Sequence, residues 1–255
     1  MLTHALLSQN SKNNISLVLH KVVQESNKTE WEDISISSLK WILNEADSKW
    51  RNTNLNNQIT ANSGFLTFDD GNNSDYEIVF PLLLERNMKA VFFVVIDKIG
   101  KKGFLSWDQI KEMQKYGMIF GSHSYSHKSI TSLSDDMALN EFKNSKNVLE
   151  DNLSCEIDSF SYPFGNCSKK SHRIGFSTGY KYLYTSKHGT ANKNLKVIPR
   201  NNIHSGMSKK NISNIMCPSK KLLFRWKFED ITKEVFKNTL GTANYTRIRN
   251  KIFYD

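Results

Sequence analysis

Two histidines stand four apart in HSYSH, residues 123–127, and a pair of carboxylates, Asp69-Asp70, closes the run GFLTFDD just before Gly71. One carboxylate and two imidazoles can occupy one face of a divalent metal and leave its other positions to water and substrate. The remaining carboxylate of the Asp-Asp pair is then free to take a proton from that water, whose pKa the metal lowers. Each piece alone has a plainer reading. Asp-Asp-Gly is good turn chemistry, and an isolated His-x-x-x-His is more often surface than ligand. The chemistry requires a fold that brings the pieces to one place.

The elements that would do so alternate between strand and helix. ISLVLH (15–20), GFLTF (64–68), KAVFFVV (89–95), MIFGSH (118–123), SFSYP (159–163) and KYLYT (181–185) read as strands. SISSLKWILNEAD (35–47), DYEIVFPLLLERN (75–87, kinked or started at Pro81) and SWDQIKEMQKYG (106–117, with a Ser-x-x-Gln capping box) read as helices. A further helix from Ser134 to Leu153 would place Leu139, Phe142, Leu149 and Leu153 on one stripe, and the chain from about Lys220 reads as helical and basic. Such alternation means a parallel sheet, open or closed into a barrel. The strands deliver His20, Asp69-Asp70, His123 and the Phe164-Gly165 turn at their C-terminal ends, the rim where α/β folds build active sites.

Composition sets the class. The chain has 255 residues, enough for one large α/β domain, and neither an internal repeat nor a low-complexity linker divides it. No apolar run approaches the ~18 residues of a membrane span, and MLTHALLSQNSKNN lacks the basic start of a signal peptide. With three cysteines and no Cys-x-x-Cys pair, reduced thiols and a cytoplasmic location are expected. The charge of +10 suits an anionic partner, but the basic residues are dispersed and no nucleic-acid reading motif is present, so no nucleic-acid partner is expected.

Taken together, TFDDG (67–71), HSYSH (123–127) and SYPFG (161–165) resemble, in order and rough spacing, the motifs of the NodB-type polysaccharide deacetylases, carbohydrate esterase family 4. The likeness extends over most of residues 15–204, with FPLLLERNMKAVFFVV as the usual connection between the first two motifs. It implies a single domain with a distorted (β/α) barrel, its core at about 15–204 and a helical basic C-terminal extension at about 220–255. It implies a divalent metal, commonly Zn2+, and hydrolysis of N-acetyl groups from amino sugars. Carried over residue by residue, Asp69 is the base and Asp70, His123 and His127 are the metal ligands.

The third motif departs from the pattern. Ser161 stands where an arginine that orients the base is usual, and Phe164 where a tyrosine is usual. Phenylalanine keeps the backbone N–H thought to stabilise the oxyanion. Arg200, in IPRNNIH, is the candidate to restore the missing charge, its alternative being an exposed salt bridge. Tyr162, Phe164 and Arg200 are the expected substrate and oxyanion contacts. The family's Asp-Trp motif is absent after Tyr180, which points away from chitin and peptidoglycan. The Leu-x-His that usually supplies the general acid appears before the first motif, as Leu17-Val18-Leu19-His20, resembling the circularly permuted order of some exopolysaccharide deacetylases. His20 is therefore the expected acid and His204 the alternative.

The expected function is removal of N-acetyl groups from an amino sugar in surface-polysaccharide biosynthesis (capsule, O-antigen or exopolysaccharide), on a glycan that is free or nucleotide- or lipid-linked. The alternatives are a catalytically idle carbohydrate-binding relative and a small-molecule amidase. KKLLFRWKFEDITKEVFK (220–237) mixes aromatics with lysines and is expected either to meet an anionic membrane or to cover the barrel.

Overall fold

The computed structural model describes residues 14–25, 30–50, 63–192 and 194–240. The N-terminal stretch read for a leader, and the last part of the C-terminal extension, lie outside the described residues. Strands form where β-branched and aromatic residues run together. They are β1 (Asn14–Leu19), β2 (Val22–Val23), β3 (Ile34–Ser35), β4 (Ser63–Asp70) and β5 (Val91–Val94). Next come β6 (Ile119–Ser122), β7 (Ser159–Ser161), β8 (Tyr182–Tyr184), β9 (Val197–Ile198) and β10 (Asn201–Asn202). Eight form one sheet in the order β10-β1-β4-β5-β6-β7-β8-β9. Every pairing in it is parallel. β2 and β3 pair separately.

Only Pro199 and Arg200 separate β9 from β10, so the two edges of this sheet are halves of one extended segment. Its first half pairs with β8 and its second with β1, which closes the sheet into a distorted (β/α) barrel. Proline interrupts the segment because it has no N–H to donate to a ladder. All six residues of β1 and all four of β5 are buried, as parallel strands covered on both faces require. Phe65, Val91, Phe93, Tyr184 and Ile198 pack as one core cluster.

The helices are α1 (Ile36–Trp50), α2 (Phe80–Glu85), α3 (Trp107–Lys115), α4 (Asp135–Leu153), α5 (Lys169–Ser177), α6 (Lys209–Met216) and α7 (Lys220–Leu240). The expected capping box at Ser106 and Gln109 opens α3. The segment 75–87 is two pieces, a π-helical turn over Asp75–Val79 and then α2, with Pro81 in the first turn where its missing N–H costs nothing. In α4 the buried stripe is Ala138, Phe142, Ser145, Leu149 and Leu153. Leu139 is 39% exposed, so the expected stripe is displaced by one residue at its start.

The chain divides into two compact units, Met1–Cys217 and Pro218–Asp255. In the second, α7 carries Phe224 and Phe228 exposed, one turn apart. Among the described residues no helix is long and apolar enough to cross a membrane.

Candidate active site

Successive residues of a strand face opposite sides, yet Asp69 and Asp70 both serve one rim. The backbone resolves this at Asp70, whose φ of 76° is left-handed. Asp69 continues the face of Phe65 and Thr67, while the turn at Asp70 brings its carboxylate over the strand end. There His127 Nε2 lies 3.1 Å and His123 Nε2 3.9 Å from Asp70 Oδ1. Asp70, His123 and His127 each offer one ligand atom, all within 4.8 Å of one another. A carboxylate oxygen with two imidazole nitrogens at this spacing fits a divalent cation of the zinc type.

The small hydroxyl residues of HSYSH shape the loop that carries the imidazoles. Ser122 Oγ accepts from the Ser124 N–H (3.1 Å), and Ser124 Oγ accepts from the His127 N–H (3.0 Å). Glu141, reaching across from α4, accepts from the N–H groups of Tyr125 and Ser126 and from the Ser126 hydroxyl. His123 Nδ1 bonds the Ser161 carbonyl at 2.9 Å, which fixes the tautomer and turns Nε2 to the site. Burial pushes the His123 pKa down to about 4, so the ring is neutral at pH 7. Of the six non-glycine residues with positive φ among the described residues, four lie here: Asp70, Ser124, His127 and Phe164. Strained backbone of this kind gathers where geometry serves function.

Asp69 is 2% exposed and gripped by Arg200, whose Nη1 and Nη2 meet Oδ1 and Oδ2 at 2.7 Å each. The Ser161 hydroxyl donates to Asp69 Oδ2 (3.0 Å) and accepts from Arg200 Nη2 (2.7 Å). Thr67 Oγ1 and the Thr185 carbonyl take further Arg200 protons. Burial would raise the Asp69 pKa, but Arg200 and then His123 outweigh it and hold the carboxylate ionised. The serine at 161 is thus an adaptation. A side chain this small leaves room for a guanidinium arriving from the β9–β10 junction, the replacement for which Arg200 was the candidate.

Two expectations need correction. Arg200 is wholly buried and stacked near Phe93 and Tyr184, so it is neither an exposed salt bridge nor a substrate contact; it faces Asp69. Tyr162 is 1% exposed, its hydroxyl bonds His172 Nδ1 and its N–H bonds the Tyr184 carbonyl, so both polar groups are committed away from the rim. Phe164 does stand at the rim, 64% exposed, but its ring also leans on His127 with centroids 4.8 Å apart.

His20 follows β1, and the register Leu19↔Phe68 brings it level with Asp69. It lies within electrostatic reach, since a charged His20 would depress the Asp69 pKa further. Its Nδ1 is buried without a hydrogen-bond partner, and Nε2 lies 4.0 Å from Glu32 Oε2. His204 follows β10 and stacks instead on Trp31 at 4.2 Å.

Two neighbours were not anticipated from sequence. Lys98 Nζ stands 3.3 Å from Asp70 Oδ1. Asp75 is fully buried with neither carboxylate oxygen hydrogen-bonded. Burial, then the charges of Asp70 and Asp69, push its pKa well above the usual carboxylate range. In the unfolded chain the same group ionises near ~3.9. Between the two pKa values the unfolded state binds fewer protons, so stability falls as pH rises through that window. Asp75→Asn removes this loss. In metal-free protein its thermal midpoint is expected to exceed the parent's by more at pH 8 than at pH 5; an equal offset at both would mean that Asp75 does not titrate abnormally.

The comparisons agree with this architecture. The family model described as polysaccharide deacetylase matches residues 57–183. YxkH of Bacillus subtilis is 29% identical over 145 residues, 56% of this chain and 52% of that protein. A poly-beta-1,6-N-acetyl-D-glucosamine N-deacetylase of Staphylococcus aureus is 26% identical over 154 residues, 54% of this chain and 53% of that protein. The chain therefore spans about half the length of these curated relatives. Among solved structures, the deacetylase PplD of Streptococcus pyogenes in complex with acetate superposes with a TM-score of 0.72 at 24% identity, over 82% of this chain and 100% of that one. IcaB from Ammonifex degensii gives a TM-score of 0.66 at 20% identity, over 80% and 95%. These likenesses share the barrel, and the family match identifies residues 57–183 as part of a polysaccharide deacetylase domain.

Proposed function

We propose that the protein is a metal-dependent N-deacetylase acting on an N-acetylated amino sugar of a surface polysaccharide. The observation that carries this is the convergence of Asp70, His123 and His127 on one point, with the ionised Asp69 beside them on the same rim. A divalent metal, Zn2+ by the chemistry of the donor set, would supply Lewis acidity to the amide carbonyl and to attacking water when bound. Asp69, already ionised and aimed by Arg200, takes the proton from the water. The Phe164 N–H is the donor assigned to the oxyanion. His20, at the end of the strand next to that of Asp69, gives a proton to the departing amine. The position of His20 on the strand beside β4 supports the permuted-motif reading and favours it over His204, whose ring is engaged with Trp31. The nearly complete set of groups favours an enzyme over an idle binding relative. The Staphylococcus aureus relative supports a poly-N-acetylglucosamine-like glycan as the substrate class. Cytoplasmic placement belongs to the same proposal; no disulfide joins Cys155, Cys167 or Cys217.

Two tests follow. Purified protein is expected to bind about one divalent metal and to release acetate from N-acetylated glycans, and His123→Ala is expected to lose the metal while remaining folded. Full metal content in that variant, by elemental analysis, would overturn the ligand assignment. The second test concerns α7. Phe224 and Phe228 project from one face with Lys221, Arg225 and Lys227 nearby in sequence, which suits a peripheral contact with anionic lipid near the glycan. The protein is expected to float with anionic liposomes at low salt, and Phe224→Ser/Phe228→Ser to remain in the soluble fraction; equal flotation of both would dismiss the contact.

A further inference from the structure

One cavity in the barrel unit is not used by the chemistry described above. It measures about 140 Å³ and is lined by Ile34, Ser35, Ser38, Ile203, His204 and Met207, among others. Its lining residue His204 lies at the strand-end level of the rim that carries the metal ligands. Ile203 N–H bonds the Val18 carbonyl, so His204 ends its strand at the level where His20 ends the next. Trp31 lies beside the cavity's His204. Its ring stacks on His204 with planes 21° apart and is still 43% exposed. Ser205, through both its N–H and its hydroxyl, bonds the Trp31 carbonyl and ties the two loops together. The adjacent residue, Glu32, is the one that approaches His20.

The lining states what kind of ligand fits. It contains no lysine, arginine, aspartate or glutamate, and burial lowers the pKa of His204, so the pocket is neutral. A phosphate or carboxylate would find no counter-charge there. Isoleucine and methionine side chains offer room for a methyl group. His204 Nδ1 is buried with no hydrogen-bond partner, an unmet need that an amide N–H or C=O would satisfy. The partly exposed indole beside it is an apolar, rigid surface of the sort that takes the C–H face of a pyranose ring. Methyl, amide and sugar ring are the parts of an N-acetylated amino sugar.

We infer that this cavity is a second sugar subsite, in which Trp31 stacks on, and the His204 pocket receives the N-acetyl group of, a residue neighbouring the one being deacetylated. The inference rests on the deacetylase reading and narrows it: the substrate is an oligomer or polymer, and a single nucleotide-linked sugar would use only half of the surface. The subsite would hold a still-acetylated neighbour, so the enzyme would prefer glycans that are not yet stripped.

The test compares acetate release from N-acetylglucosamine and from its tetramer. The parent protein is expected to favour the tetramer in kcat/KM, and Trp31→Ala to lose about tenfold of that preference. A merely structural defect would depress both substrates equally and leave the ratio intact, which would overturn the subsite. Calorimetric titration of His123→Ala protein with tetramer supplies a readout independent of turnover. Binding there is expected to weaken about tenfold on adding Trp31→Ala, and to weaken likewise when a tetramer with free amines replaces the acetylated one. Unchanged affinity in both comparisons would sink the subsite. If the parent releases no acetate from any glycan but tetramer binding still depends on Trp31, the deacetylase reading fails and the subsite stands.

Discussion

Asp69→Asn is expected to keep its metal and to lose about 10²–10⁴-fold in turnover, the usual worth of a general base. The asparagine has the same shape and can still accept a hydrogen bond from Arg200, so the loss isolates the proton acceptor. Asp69 is suited to the role by position. Its Oδ2 lies 3.8 Å from His123 Nε2, close to the ligand cluster without completing it, whereas Asp70 is the carboxylate that meets His127 at 3.1 Å. The same comparison separates base from acid. His20→Ala should also retain metal, but its deficit should shrink with substrates whose leaving group departs without protonation, such as an activated acetate ester that expels a stabilised phenoxide, while the Asp69→Asn deficit should persist. A loss below tenfold for Asp69→Asn, at full metal occupancy, would assign the base elsewhere.

Much of this site was legible in the sequence because its residues sit at strand ends, and strand ends are marked by the switch from apolar runs to Asp, His and Gly. GFLTF followed by Asp69-Asp70-Gly71, and MIFGS followed by His123, carry both the element and the ligand in one stretch. The register of β1 against β4 was also readable in principle, since both are short, largely apolar runs followed by a chemically distinctive residue, His20 after β1 and Asp69-Asp70 at the end of β4. What the sequence left open is contact across large sequence distances, where Arg200 stood as a candidate partner for the base beside the alternative of an exposed salt bridge. The bond between Arg200 and Asp69 spans 131 positions and depends on the barrel closing through a segment broken at Pro199. No local pattern distinguishes a buried arginine from an exposed one. Tyr162 misled for the opposite reason: its place in the motif suggested the rim, but alternation along β7 turns it into the packing with Phe142 and Phe160. Asp75 escaped notice because a carboxylate in the first turn of a helix is ordinary, and only its burial makes it unusual.

Arg200→Met is expected to be among the most destabilising single substitutions in the barrel, by about 3–5 kcal/mol, because it strands a charge in the interior. Methionine fills much of the same volume between Phe93 and Tyr184, so the defect is electrostatic rather than a cavity. Asp69 would keep the Ser161 hydroxyl as a donor but lose both guanidinium bonds. With the largest lowering influence on Asp69 gone, burial would raise its pKa, and turnover should require a higher pH than in the parent. The two effects share one cause, and a second substitution exposes it. In an Asp69→Asn background there is no carboxylate left to strand and Arg200 is itself the unpaired charge, so Arg200→Met should cost markedly less than it does with aspartate present. Denaturant unfolding of the four proteins closes that cycle. Additive losses would mean that Arg200 acts as packing, through Phe93 and Tyr184, and not as the group that holds the base ionised and aimed.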